Sequence, residues 1–323
     1  MNKKIKWGIA GLGNIAKKFA SDLNLVPEAQ LVAVASSDIH RAEIFKKDFN
    51  ADRCYGSYED LFDDPEVVVV YVAGLNNHHK TVVLAAIAKG KAVLCEKPLG
   101  LNSGEIKQMI AAANNNHCFL MEALWSRFNP AIQKAKKWSD EGRLGEVRFL
   151  YSEFSFYKMD ADPSHRLMDL NKGGGALYDI GIYPIFLSYL ILGMPEKINA
   201  QSQFGPTGVD VQTSMIFQYE NAQAILYCGI TNNSNNEAKI CGTEAEIVLP
   251  GRWHDTEAIT LIRNGEATTT ELPTLGIGYT NEINEVNQCI AQGKIESSLW
   301  SNQNALELAL LVEKVQKISG IKN

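Results

Sequence analysis

The feature that most constrains this chain lies in residues 5–16. A short apolar run, Ile5-Lys6-Trp7-Gly8-Ile9-Ala10, enters Gly11-Leu12-Gly13-Asn14-Ile15-Ala16, and a helix-period pattern follows. This is a G-x-G-x-x-A turn between a strand and a helix. Gly11 permits the sharp turn, Gly13 lets a pyrophosphate approach the backbone, and small Ala16 lets the helix pack close on the strand. Phosphates at such a turn face unpaired N–H groups and the positive end of the helix dipole. Gly11, Gly13, Asn14 and Ile15 are therefore candidate dinucleotide-binding residues. A glycine triplet by itself fits any tight turn; the strand before it and the helix after it favour the dinucleotide site.

A chain of 323 residues exceeds one small core and fits two domains. The formal net charge of -6, with no basic run, argues against a nucleic-acid partner. The longest apolar candidate, Ile180 to Leu192, is interrupted by Tyr183, Pro184, Ser188 and Tyr189, so no membrane span is expected. A glycine-rich turn cuts short the apolar run after Lys3 and Lys4, which argues against a signal peptide. Cys54, Cys95, Cys118, Cys228, Cys241 and Cys289 are scattered without a C-x-x-C pair. No metal site or disulfide framework is expected, and a reducing cytoplasm fits.

Up to about residue 120, short apolar runs alternate with helical segments. Leu31–Ala35, Val67–Val72 and Ala92–Cys95 read as buried strands. Lys80–Lys89 reads as a helix ended by Gly90, and Gly104–Asn114 places Ile106, Met109, Ile110 and Ala113 on one face. Strands alternating with helices imply right-handed crossovers and a parallel sheet, the Rossmann architecture. After about residue 145 the rhythm changes. Val147–Tyr157, Ile198–Phe204, Val211–Tyr219, Ala224–Ile230, Lys239–Leu249 and Ile259–Ile262 read as successive strands of a mostly antiparallel open sheet. A long helical segment, Gly173–Leu192, precedes most of them, and a helix capped near Ser301 buries Leu308, Leu311, Val312 and Val315. The expected class is α/β, with a Rossmann domain over residues 1–122 and an α+β substrate and dimerisation domain over 123–323. A catalytic cleft is expected between them.

Four motifs in order give the chain its resemblance. They are the turn at Gly11–Ala16, Asn76-Asn77-His78-His79, Gly90-Lys91-Ala92-Val93-Leu94-Cys95-Glu96-Lys97-Pro98, and Gly174-Gly175-Ala176-Leu177-Tyr178-Asp179-Ile180-Gly181. Together they resemble the Gfo/Idh/MocA oxidoreductase family over nearly the whole length. Leu120-Met121-Glu122-Ala123-Leu124-Trp125-Ser126-Arg127-Phe128 and Asp179-Ile180-Gly181-Ile182-Tyr183 look most like its dihydrodiol-type subgroup, near its sugar dehydrogenases. Most of the family carries His where this chain has Tyr183, which weakens transfer of a His-based mechanism.

The resemblance implies that Lys97, after a buried strand and before Pro98, is an active-site cation. Such an ammonium can lower the pKa of a neighbouring phenol or stabilise an alkoxide. Asp179 and Tyr183 lie four residues apart on one helix and share a face. With the resemblance, Tyr183 becomes the general acid/base. A phenol near pKa ~10 needs a cation to act at neutral pH, and Asp179 would orient Tyr183, Lys97 or a substrate hydroxyl. Asn76, Glu96 and Lys97 are further candidate cofactor contacts; His79 holds the loop near the ribose. Glu122 reads equally as a nicotinamide or ribose contact and as a helix cap. Trp125, Arg148, Arg166 and Trp253 are candidate substrate contacts, and the resemblance matches Arg148 and Trp253 to substrate positions of the dihydrodiol-type proteins.

An NAD-preferring site places a carboxylate at the end of its second strand. Here Ser36 and Ser37 occupy that end and Arg41 follows, matching an arginine that related sugar enzymes place on phosphate. A guanidinium holds phosphate through two parallel hydrogen bonds. The expected cofactor is NADP, with NAD possible and Asp38 either opposing it or capping the next helix. The expected reaction is hydride transfer between nicotinamide and a secondary alcohol or carbonyl of a cyclic polyol, sugar or dihydrodiol. The alternatives are an NAD-dependent redox-assisted glycoside hydrolase and a non-catalytic dinucleotide-sensing regulator. Ile216 and Ile225, on a sheet face with no later helix to cover it, point to a homodimer, as the resemblance also does.

Overall fold

The computed structural model describes residues 4–322. The chain divides into two compact units. One contains the stretch up to Phe128 together with Thr274–Leu306, and the other contains Asn129–Pro273 together with the stretch from Glu307. The single break expected near residue 122 thus sits beside an observed one at 128, and a later segment returns to the first unit.

In the first unit β1 (Ile5–Ala10) leads to α1 (Asn14–Leu23), and β2 (Ala29–Ala35) to α2 (Ile39–Phe49). Next come β3 (Arg53–Tyr55), α3 (Tyr58–Asp63), β4 (Val69–Val72) and α4 (His79–Ala88). β5 (Ala92–Glu96), α5 (Ser103–Asn115) and β6 (Leu120–Ala123) follow. All six strands pair in parallel in the order β3-β2-β1-β4-β5-β6. That order reverses direction between β1 and β4, where a doubly wound sheet opens its ligand crevice at the strands' carboxyl ends. β4 and β5 are buried throughout, as strands covered by helices on both faces must be.

The second unit begins with α6 (Pro130–Asp140), whose Asn129 cap accepts from Ala131 and Ile132. β7 (Val147–Ser155) follows, then a π turn at Leu177–Gly181 running into α7 (Ile182–Leu192). β8 (Lys197–Phe204), β9 (Asp210–Gln218), β10 (Gln223–Gly229), β11 (Ala238–Gly242), β12 (Glu246–Leu249), β13 (Ala258–Arg263) and β14 (Glu266–Glu271) complete it. The eight strands order as β14-β13-β12-β11-β7-β10-β9-β8, antiparallel except where β10 meets β7. Lys239–Leu249, read as one strand, is two strands joined by a turn at Thr243–Ala245. α7 packs on β7 and β10 and covers one sheet face. On the other face Ile216 and Ile225 pair across β9 and β10 and stay 43% exposed.

Two helices close the chain, α8 (Tyr279–Ala291) in the first unit and α9 (Asn302–Ser319). Leu308, Leu311, Val312 and Val315 of α9 are buried as the periodicity predicts. Leu170–Leu192 is long and apolar enough to cross a membrane, at 23 residues and hydropathy 1.5. Its most apolar window is 78% buried inside the protein, as suits the core helix of a soluble fold.

Candidate functional site

The dinucleotide turn has the geometry its residues predict. Gly11 adopts φ +92, and a Cβ there would stand 3.0 Å from the Ala73 carbonyl and the Gly74 nitrogen. Gly13 is the N-cap of α1; a Cβ there would meet nothing within 4 Å, and no side chain caps the helix. Open space in front of an uncapped N-terminus suits a pyrophosphate. Asn14 and Ile15 form the first turn of α1. Ser36 follows β2 and is buried, and its hydroxyl accepts the backbone N–H of Asp38 at 3.2 Å. Asp38 in turn accepts from His40 and Arg41 as the N-cap of α2. Its carboxylate is therefore engaged in capping, while Ser37 and Arg41 are exposed.

At the carboxyl end of β5, Lys97 begins a turn fixed by buried bonds from several segments. Nδ1 of His79 lies 2.9 Å from the Pro98 carbonyl and Nε2 lies 3.3 Å from that of Gly74. Burial lowers the His79 pKa, and a neutral ring, with its single N–H, donates to one of these two carbonyls. The Leu99 N–H donates to Oε1 of Glu122 at 2.9 Å, and the Trp300 indole N–H donates to its Oε2 at 3.1 Å. Burial pushes the Glu122 pKa up to about 7 against those two donors and the charge of Lys97. Both Glu122 oxygens thus hold protein donors, a use that neither sequence reading contained. Glu96 accepts from the hydroxyl of buried Tyr71, and Asn76 opens the 3-10 turn after β4. Trp125 stacks on Tyr279, with ring centroids 4.9 Å apart.

In the second unit Asp179 lies in the π turn, and Tyr183, the second residue of α7, follows four residues later. A guanidinium nitrogen of Arg166 donates to Oδ1 of Asp179 at 2.9 Å, so these two predicted residues are brought together. The Tyr183 ring centroid lies 5.3 Å from that of Phe154 and 5.5 Å from that of His254, and those two stack at 4.2 Å. Phe154 and His254 were not among the expected residues; each is contributed by a strand or turn remote in sequence from Tyr183. Trp253 is fully buried and donates its indole N–H to the Glu153 carbonyl at 2.8 Å. It is a core residue with no surface open to a ligand. Arg148 is not brought to Tyr183. It lies near the start of β7, exposed and bonded to Glu146 and the Asn221 carbonyl. Phe154 lies six residues further along that strand, roughly 20 Å at the usual rise.

Known proteins agree with this architecture. The profile described as "Oxidoreductase family, NAD-binding Rossmann fold" (GFO_IDH_MocA) matches residues 5–124, and the GFO/IDH/MocA C-terminal domain matches residues 132–248. Trans-1,2-dihydrobenzene-1,2-diol dehydrogenase of Mus musculus is 39% identical over 98% of this chain and 97% of its own. The Homo sapiens protein of that name is 35% identical over the same shares. Among solved structures, aldose-aldose oxidoreductase from Caulobacter crescentus superposes with TM-score 0.90 at 22% identity, covering 98% of each chain. A 3-ketoreductase from Actinomadura kijaniata, in complex with TDP-benzene and NADP, does so with TM-score 0.85 at 24% identity and the same coverage. Two family domains in order and full-length relatives above a third identical lead to one conclusion: the chain belongs to the Gfo/Idh/MocA family of NAD(P)-dependent oxidoreductases.

Proposed function

We propose that this chain is an NADP-preferring dehydrogenase that moves a hydride between nicotinamide and a secondary alcohol or carbonyl of a cyclic polyol, sugar or dihydrodiol. The observation that carries this reading is 39% identity, across 98% of the chain, to a dihydrodiol dehydrogenase. The hydrolase and regulator alternatives are not favoured by such relatives.

In this reading Gly11, Gly13, Asn14 and Ile15 receive the pyrophosphate, and Ser36, Ser37 and Arg41 receive the 2′-phosphate. Asn76 and Glu96 border the ribose and nicotinamide, while His79 and Glu122 hold the loops that present Lys97. When bound, the nicotinamide supplies a hydride acceptor at C4. The Tyr183 phenolate takes the hydroxyl proton as the carbinol C–H electron pair leaves, and the alcohol becomes a carbonyl. The Lys97 ammonium favours the phenolate and the developing alkoxide. Asp179, already paired with Arg166, orients rather than exchanges the proton. Trp125 and Arg166 contribute surface and hydrogen bonds to the substrate.

We also propose a homodimer formed through the sheet face that carries Ile216 and Ile225. A reducing, cytoplasmic location fits cysteines that are all free among the described residues.

The test follows absorbance of reduced cofactor over a panel of aldoses, polyols and aromatic dihydrodiols, with Lys97→Met and Tyr183→Phe alongside. A secondary alcohol should be oxidised, and each variant should lose roughly 10²–10⁴ in kcat while still binding dinucleotide. Absence of turnover across the panel, or full activity in both variants, would overturn the reading.

A further inference from the structure

Asp210 opens β9 and is completely shielded from water. Its Oδ2 accepts the backbone N–H of Leu177 at 2.7 Å and the Thr213 hydroxyl at 3.4 Å. Leu177 is the first residue of the π turn that holds Asp179, and that turn runs directly into Tyr183. The carboxylate therefore stands at the N-terminal end of the segment bearing both candidate catalytic groups, where negative charge complements the dipole. The other oxygen, Oδ1, makes no hydrogen bond among the described residues. It fills the space above Gly175, where a Cβ would come within 2.1 Å of it. Gly175 has φ +112, a conformation that glycine tolerates and L side chains avoid.

Gly175 and Asp210 are thus a matched pair. The absent side chain at 175 makes room for a carboxylate from a strand 35 residues later, and that carboxylate fixes where the turn begins. Burial pushes the Asp210 pKa up to about 6, with the Leu177 N–H as its strongest opponent. A buried carboxyl of this kind costs stability, and an ordinary surface cap for the same helix would avoid that cost. Cys228, on β10, is the titratable neighbour that feels its charge.

We propose that Asp210 is a positioning residue for the reaction: by accepting the Leu177 N–H from the sheet, it sets the rotation and depth of the turn that carries Asp179 and Tyr183. The proposal rests on the reading of Tyr183 as the proton-transfer group. It gives Gly175, the second glycine of the Gly174-Gly175 pair, a purpose: room for the Asp210 carboxylate. It also predicts which property of Asp210 matters. That property is a hydrogen-bond acceptor at Oδ2, where the Leu177 N–H donates.

The experiment compares Asp210→Ala, Asp210→Asn and Tyr183→Phe with the unmutated protein. The assay uses NADP with trans-1,2-dihydrobenzene-1,2-diol or D-xylose, whichever the unmutated protein oxidises. Rates are taken per folded site, counted by NADPH binding. Asp210→Ala should lower kcat by roughly ten- to a hundredfold, as loss of orientation does, with NADPH affinity unchanged. Asp210→Asn keeps the acceptor and should restore kcat to within about threefold of the unmutated value. If the alanine protein does not fold, Asp210→Ser replaces it, being too short to reach Leu177. Unchanged kcat per folded site in the alanine or serine variant overturns the proposal, and so does an asparagine variant as slow as they are. Loss of kcat in Tyr183→Phe together with either result leaves the proton-transfer reading standing while positioning fails. Unchanged kcat in Tyr183→Phe removes both.

Discussion

Buried on every side, Glu282 has no hydrogen-bond donor at either carboxylate oxygen among the described residues. Burial first, and then the charges of Glu96 and Asp22, drive its pKa well above the ordinary carboxylate range. A raised carboxyl contributes stability that is present below the unfolded value of about 4.5 and is lost as pH rises toward the folded one. Glu282→Leu, similar in size and free of that titration, should therefore melt higher than the unmutated chain at pH 8. The gap should narrow as pH falls toward 4.5. Scanning calorimetry at several pH values checks this, and a gap that ignores pH refutes it. Arg41 poses a different question at the same scale, because Asp38 is occupied in capping α2 and Arg41 is exposed. Arg41→Ala should raise KM for NADP by about tenfold or more while leaving that for NAD nearly unchanged, in line with a lost charged phosphate contact. Equal kcat/KM for the two cofactors in the unmutated protein would contradict the preference.

Among the elements, α8 shows how a remote segment is recruited to the first sheet. Asp22, at the end of α1, accepts the backbone N–H groups of Ile277, Gly278 and Tyr279 at 2.8–3.0 Å and so caps α8. Five residues beyond Glu282, Asn287 accepts the Trp7 indole N–H at 3.0 Å. Asp22→Ala leaves three N–H groups without their acceptor, which should cost roughly 2–3 kcal/mol. The melting midpoint should fall by roughly 3–5 °C, and a midpoint within error of the unmutated value would show that water replaces the cap without loss. The segment Gly173–Leu192 makes the opposite point. Its apolar pattern marks a helix, but its first half contains a π turn whose Leu177 N–H donates to Asp210 of the sheet. No local propensity in Leu177–Gly181 announces that turn.

At the scale of the whole molecule, the second sheet leaves part of one apolar face exposed. Ile216 and Ile225 face each other across β9 and β10, and Tyr151 adjoins Ile225 on β7. A row of half-exposed apolar side chains on a sheet face is a feature that monomers tend to avoid. In the proposed dimer, light scattering at micromolar concentration should give twice the chain's mass of 35.7 kDa. Ile225→Asp, which places a charge at the centre of that row, should give the single mass with the fold intact by circular dichroism. A monomer mass for the unmutated protein counts decisively against the dimer.

Local patterns carried much of this protein. The turn at Gly11–Ala16 is legible locally, because a positive φ at Gly11 is a conformation that glycine tolerates. Buried strands such as β4 and β5 announce themselves by unbroken apolar runs, and the change to alternating runs after residue 145 separates the two sheets. Lys97, Asp179 and Tyr183 stood out through motif and spacing. What the tertiary structure alone decided is where polar groups find partners. Glu122 meets Trp300 across 178 residues, Tyr183 meets Phe154 and His254, and Trp253 is enclosed in the core. A side chain's type sets what it can donate, accept or bury. Whether it faces a ligand or another side chain depends on chain-distant neighbours that desolvate it, and only folding brings those neighbours together.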